Sequence, residues 1–276
     1  MTLINLEMIL FKISFIFCAV STAGYLLSLL VKKIKLAKIS TWILSAAFGF
    51  LTLNLLLTVI NFSGLVNLGS RNILSLCAWS ASGVYLALQF KTKTRTLGAF
   101  ISPFIFLFMI AAAGQDAGKT LLPANLQTWL TAVHMLLTIT GEALFILASC
   151  AGAMFIIQDG LLKSKKLNKM SRLLPSLSDL DRINHICLLW GFPVLSVGVL
   201  AGMIFAEFSW QAGWLTDPKI IWTFAGWIIY GSLLHQRLAI GWRGYRMALV
   251  SCAAFILLLL SYGSVRFCFS TLHNFI

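Results

Sequence analysis

Residues Glu207-Phe-Ser-Trp-Gln-Ala-Gly-Trp-Leu-Thr-Asp-Pro-Lys-Ile-Ile-Trp222 form a short, tryptophan-dense connection between two long apolar runs. Asp217 followed by Pro218 reads as a helix start. A carboxylate there accepts from the orphan amides of the first turn, and proline at the first helical position forfeits no hydrogen bond. Upstream, Trp210 and Trp214 stand four residues apart, so on a helical turn both indoles point the same way and present a flat aromatic surface outward. Two readings fit that surface: a belt pair at the headgroup level of a membrane, or a platform for a large planar ligand. In either case the stretch separates two apolar spans, and the fold follows from counting such spans along the chain.

The 276 residues are 59% hydrophobic and only 11% charged, with a mean hydropathy of +0.92. A soluble domain of this size is not that apolar. The expected fold is all-α, a polytopic membrane protein forming a single transmembrane domain over residues 1–276. Eight apolar runs, at 9–31, 39–60, 73–90, 97–113, 130–157, 186–206, 220–240 and 247–267, are long enough to cross a hydrocarbon core about 30 Å thick. The first has Glu7 before it and Lys32, Lys33, Lys35 and Lys38 after it, the wrong charge order for a cleaved export signal, so it counts as a span.

A net charge of +13 raises the question of nucleic acid, and the placement of the charge answers it. The four lysines at 32–38 share one set of alternating loops with Lys91, Lys93 and Arg95, with the cluster from Lys163 to Arg182, and with Arg237, Arg243 and Arg246. The opposite loops hold only Arg71, Lys119 and Lys219. Basic residues collect on the cytoplasmic side of membrane proteins. Eight transmembrane helices with both termini outside therefore account for the charge, without nucleic acid. The connector from Asp159 to Asn184 reads as a solvated cytoplasmic loop attracted to anionic lipid.

The six cysteines are scattered singly with no Cys-x-x-Cys pair, which argues against a thiol-redox motif, a zinc knuckle or covalent haem attachment on this chain. Four histidines remain. His134, at the start of the fifth span, and His273, in the C-terminal tail, fall on the side of the tryptophan-rich loop. Imidazole is the commonest neutral metal ligand, and a haem iron with two axial imidazoles and its porphyrin against Trp210 and Trp214 fits that arrangement. His235 stands about 22 Å along the seventh span at 1.5 Å per residue, in the inner leaflet, where a polar side chain is costly and a candidate for function. His185 opens the sixth span at a similar depth. Glu142 lies two turns inward of His134 and reads as a neutral acid, an ion-pair partner or a lining group. Gly198 and Gly202 form a small-x-x-x-small face, the usual mark of close helix packing.

Read in order, the C-terminal motifs are Gly191-Phe192-Pro193, then Trp210, Trp214, Asp217-Pro218-Lys219 and Trp222, then Leu234-His235-Gln236-Arg237-Leu238, Gly241-Trp242-Arg243-Gly244 and Leu272-His273. This ordered set resembles the CcsA/ResC type of cytochrome c assembly protein, in the haem-handling superfamily with CcmC, CcmF and the HemX-like proteins. The resemblance covers residues 130–276, and the N-terminal half shows no match to it.

The resemblance implies that His134 and His273 are axial ligands of an external haem b, held without covalent bonds. It further implies that Trp210, Trp214 and Asp217 belong to the haem-holding loop and that His235 is a ligand of an inner haem site. It implies a multi-pass protein of the bacterial inner membrane that transports or presents haem to apocytochrome c, working with a ResB-like partner. No catalytic residue is assigned; the chain would at most form part of a haem lyase complex. Gln211 and Thr216 depart from the family loop, the latter costing it an indole. That departure and the short chain resemble the HemX-like branch, which implies the alternative of a membrane regulator of glutamyl-tRNA reductase levels.

Overall fold

The computed structural model describes residues 3–61, 69–92, 94–115, 129–165, 171, 173–209 and 214–268. Each of the eight apolar runs is a helix there: α1 (Leu3–Val31), α2 (Ile34–Asn61), α3 (Ser70–Thr92), α4 (Gly98–Ala113), α5 (Trp129–Lys163), α6 (Leu177–Ser209), α7 (Pro218–His235) and α8 (Tyr245–Cys268). No strand occurs among the described residues. Among the described residues six helical stretches are long and apolar enough to cross a membrane: Asn5–Val31, Ile34–Ile60, Ser70–Thr92, Arg95–Ala113, Trp129–Lys163 and Leu177–Phe208. The chain is a multi-pass membrane protein. Helix α7 is not among the six, because Trp222, Trp227, Tyr230, Ser232 and His235 dilute its aliphatic content, and the apolar stretch Tyr245–Leu260 of α8 is shorter.

Two compact units make up the chain, one of Met1–Thr120 with Ile157–Asp179, the other of Leu121–Ile156 with Leu180–Ile276. In the first, α1 and α2 form a tight hairpin. Lys32 takes a left-handed conformation at φ 57°, and the Lys33 amide closes back on the Ser28 carbonyl at 3.1 Å, the six-residue closure that ends many helices. The core of this unit is unusually polar. Tyr25 donates to Thr41 (2.9 Å) and meets the Tyr85 hydroxyl at 3.0 Å; Gly98 lies so close that a Cβ there would overlap the Tyr25 ring and the Tyr85 hydroxyl. Arg71, placed by the sequence in a loop, is instead buried at the start of α3. It is paired with Glu7 at 3.1 Å and covers the Phe11 ring.

The connector after α5 is shorter than the 159–184 loop expected. Helix α5 runs on to Lys163, and Ser176 starts α6 with a reciprocal cap: the Asp179 amide donates to Ser176 Oγ (3.2 Å), and the hydroxyl donates to the Asp179 carboxylate (2.6 Å).

In the second unit, α6 lies against α5 along glycines. A Cβ at Gly141 would meet the backbone of Leu195, one at Gly198 the backbone of Thr138, and one at Gly191 the Phe145 ring. Without side chains at these points the backbones approach closely enough for dispersion contacts that lipid cannot match. Gly152 does the same for α5 against Ala248 of α8. Asn184 of α6 donates to the Ala148 carbonyl (2.9 Å) and to Ser251 Oγ (3.0 Å), tying three helices at one buried point. Helix α6 continues through Pro193. One turn later Ser196 accepts from the Trp227 indole at 2.8 Å, which fixes α7 beside it.

Candidate functional site

His134 sits in the second turn of α5, half-buried. Its Nδ1 lies 2.8 Å from the Gly198 carbonyl oxygen. A carbonyl only accepts, so Nδ1 carries the proton and donates, and Nε2 keeps its lone pair. No described residue bonds to Nε2. Gly202, one turn further along α6, faces the same ring, and a Cβ there would overlap Nδ1 and Cε1. The Gly198–Gly202 face therefore does more than pack helices: one glycine supplies the oxygen that orients the imidazole and the next supplies the space for it.

The tryptophan-rich connection is described from Trp214 onward; Trp210, and likewise His273, lie outside the described residues. Asp217 is the N-cap of α7, with its Oδ1 accepting from the Lys219 amide at 2.8 Å and Pro218 at the first helical position, as the sequence predicts. Trp214 departs from expectation. It opens a single 3-10 turn, Trp214–Thr216. It is also only 8% exposed and donates its indole N–H to Glu207 at 3.0 Å. The ring is turned into the protein, because an indole N–H needs a polar partner when buried and the Glu207 carboxylate at the end of α6 provides one. An outward-facing platform is not what Trp214 forms. Glu142 is exposed rather than enclosed.

At the other end of α7 the helix stops at His235 and passes into one π-helical turn, Gln236–Ile240. The exit is closed by Gly241 at φ +80°, with the Trp242 amide bonded to the Gln236 carbonyl (3.0 Å), and Gly244 follows at φ +64°. The two glycines of Gly241-Trp242-Arg243-Gly244 thus occupy left-handed positions where other residues are strained. His235 is exposed on the chain's surface, not buried as its depth in the span had suggested.

Arg237 holds this turn in place. It is 8% exposed and makes a two-pronged bond to Asp181 of α6, at 2.7 and 2.6 Å. The Gly244 amide donates to the same carboxylate at 2.7 Å. Paired guanidinium–carboxylate bonds of this kind fix geometry as well as adding energy. Asp181 is the residue sequence reasoning missed. Its only signal was an unexplained acid near the start of the sixth span. His185, one turn on from Asp181, lines a cavity with Asp181, Arg182, Arg237, Leu238 and Arg243, and His235 is not among the lining residues.

A family model described as cytochrome C assembly protein matches residues 68–273. The chain belongs to the cytochrome C assembly protein family. The match takes in His134, the tryptophan-rich connection, His235 and His273, and it reaches back through α3 and α4 into the half that the motifs left unmatched. The protein named cytochrome c biogenesis protein CcsA from Pyropia yezoensis is 26% identical over 238 residues, covering 72% of this chain and 74% of the relative. The protein of that name from Porphyra purpurea is 27% identical with the same coverage. The one from a Synechocystis species is 23% identical over all of this chain and 99% of its own length. The CcsA-type resemblance expected from the motifs is borne out, and the role of the family is cytochrome c assembly.

Proposed function

We propose that this chain binds haem b and presents it at the outer membrane face for attachment to apocytochrome c. His134 and His273 serve as axial ligands, the connection bearing Trp210, Trp214 and Asp217 shapes the site, and His235 is the ligand of an inner, membrane-embedded site. The observation that carries this reading is the orientation of His134. Ligation of iron needs a neutral imidazole with one nitrogen unprotonated and the other held by an acceptor, and the Gly198 carbonyl meets that need from the backbone. The residues present fit the group: glycines leave room for the ring, and no described residue bonds to Nε2. When bound, haem supplies the iron and the vinyl groups that react with the cysteines of an apocytochrome; the protein contributes binding and orientation.

The surface position of His235 supports an inner site completed by a second chain. An imidazole there faces lipid or a partner, and a ResB-like membrane protein is the partner proposed. The loop charges support an arrangement in the bacterial inner membrane with both termini outside and the basic residues in the cytoplasm. The relatives named above are all cytochrome c biogenesis proteins, which favours assembly over regulation of haem biosynthesis. The test is complementation. A strain lacking this chain should regain covalently haem-stained c-type cytochromes with the wild-type gene and fail to with His134→Ala or His235→Ala. Normal maturation in both variants would overturn the proposal.

A further inference from the structure

The cavity between the start of α6 and the π-helical turn has a volume of about 310 Å³, at the small end of ligand sites. Three guanidinium groups and an imidazole line it, against one carboxylate. That carboxylate, Asp181, is already engaged by Arg237 and the Gly244 amide. Among the described residues the ion pairs are Glu7–Arg71, Asp159–Lys163 and Asp181–Arg237, so Arg182 and Arg243 have no acidic partner. Both are exposed, while Arg237, their neighbour in the wall, is nearly buried and rigidly held. The one apolar side chain of the wall, Leu238, is 58% exposed.

From this juxtaposition we infer that the cavity binds the oxyanion head of an amphiphile, a carboxylate or phosphate held by Arg182, Arg243 and His185 with its apolar body against Leu238. Planar guanidinium groups suit such oxygens because each donates in pairs. The exposed Leu238 beside these cations favours an amphiphile over a free inorganic anion, and basic pockets between membrane helices take lipid headgroups. Two amphiphiles share this chemistry: an anionic phospholipid, and haem itself through its propionates. The second source rests on the function proposed above, and the first does not.

The experiment uses the full-length protein in neutral detergent and has two arms. In the first, native mass spectrometry compares retention of dioleoylphosphatidylglycerol with that of dioleoylphosphatidylcholine. In the second, titrations compare haem with haem dimethyl ester, whose propionates are blocked. Each is repeated with Arg182→Gln/Arg243→Gln, with Arg182→Gln alone as a mild change on an exposed side chain, and with Lys33→Gln/Lys35→Gln, which removes equal charge from an exposed turn. Preference of the wild type for phosphatidylglycerol, weakened on the order of tenfold or more in the arginine variants and kept in the lysine variant, establishes the site with lipid as the source. Preference for haem over its ester, lost in the same pattern, establishes it with the propionates as the source. No preference in either arm, or equal loss in the lysine variant, overturns it. A protein that binds no haem but shows the lipid pattern keeps this site and loses the haem function; one that binds haem and its ester alike without a lipid preference does the reverse.

Discussion

His134 and Gly198 are joined by a hydrogen bond of 2.8 Å from imidazole Nδ1 to a backbone carbonyl. A backbone acceptor cannot be removed by substitution, so the orientation of His134 is written into the spacing of α5 and α6, which the glycines of α6 set. The ring is therefore sensitive to changes on a helix that contributes no ligand. Gly202→Ala places a methyl group where the ring now lies. It should lower haem retention and shift the absorption spectrum of the bound haem, with partial recovery on adding imidazole, while helix content by circular dichroism stays unchanged. An unaltered spectrum in Gly202→Ala would show that the seat does not govern the ligand.

Asp217 has two separable roles, as helix cap and as charge. Asn caps a helix as well as Asp, so Asp217→Asn should hold thermal stability close to wild type, whereas Asp217→Ala should lose about 1 kcal/mol. Unfolding followed by tryptophan fluorescence in detergent distinguishes them. Equal loss in both variants would assign the residue's effect to its charge instead.

The Asp181–Arg237 pair locks the π-helical turn that follows His235. Asp181→Ala strands a nearly buried guanidinium and the Gly244 amide, and should destabilise the protein by about 2–3 kcal/mol. Limited proteolysis should then cut first between residues 236 and 244. Protection of that segment in the variant would mean that the turn stands without the clamp.

Breaking the Glu7–Arg71 pair should cost more, about 3–5 kcal/mol, because both side chains are only 4% exposed and a lone buried charge has no compensation. Glu7→Ala and Arg71→Ala should each lower the unfolding midpoint sharply, and the double replacement Glu7→Leu/Arg71→Met should recover part of it. Failure of the double variant to recover would locate the cost in packing and not in charge.

Much of this architecture was legible in the chain. All eight apolar runs are helical, and for the six long enough to cross a membrane a helix is how an apolar stretch satisfies its backbone groups in lipid; the Asp217-Pro218 cap is readable because its chemistry is local. What the sequence hid was pairwise and distant. Nothing marks Asp181 as the partner of Arg237, 56 positions away, or Gly198 as the acceptor for His134, 64 positions away. The direction of Trp214 was misjudged for a similar reason. Spacing says nothing of what an indole bonds to: Trp214 opens the 3-10 turn Trp214–Thr216 and its ring follows the hydrogen bond to Glu207. His235, read as lying within a span that continues to residue 240, is the last α-helical residue of α7 and is exposed, neither of which depth alone specifies.

The central claim is that His134 presents Nε2 to haem iron, and the absorption spectrum of the purified protein tests it most directly. Wild-type protein from haem-replete cells should show a reduced low-spin b-type α-band that falls severalfold in His134→Ala and returns when imidazole is added to the variant. A colourless wild type, or a band of equal height and position in His134→Ala, would contradict the account.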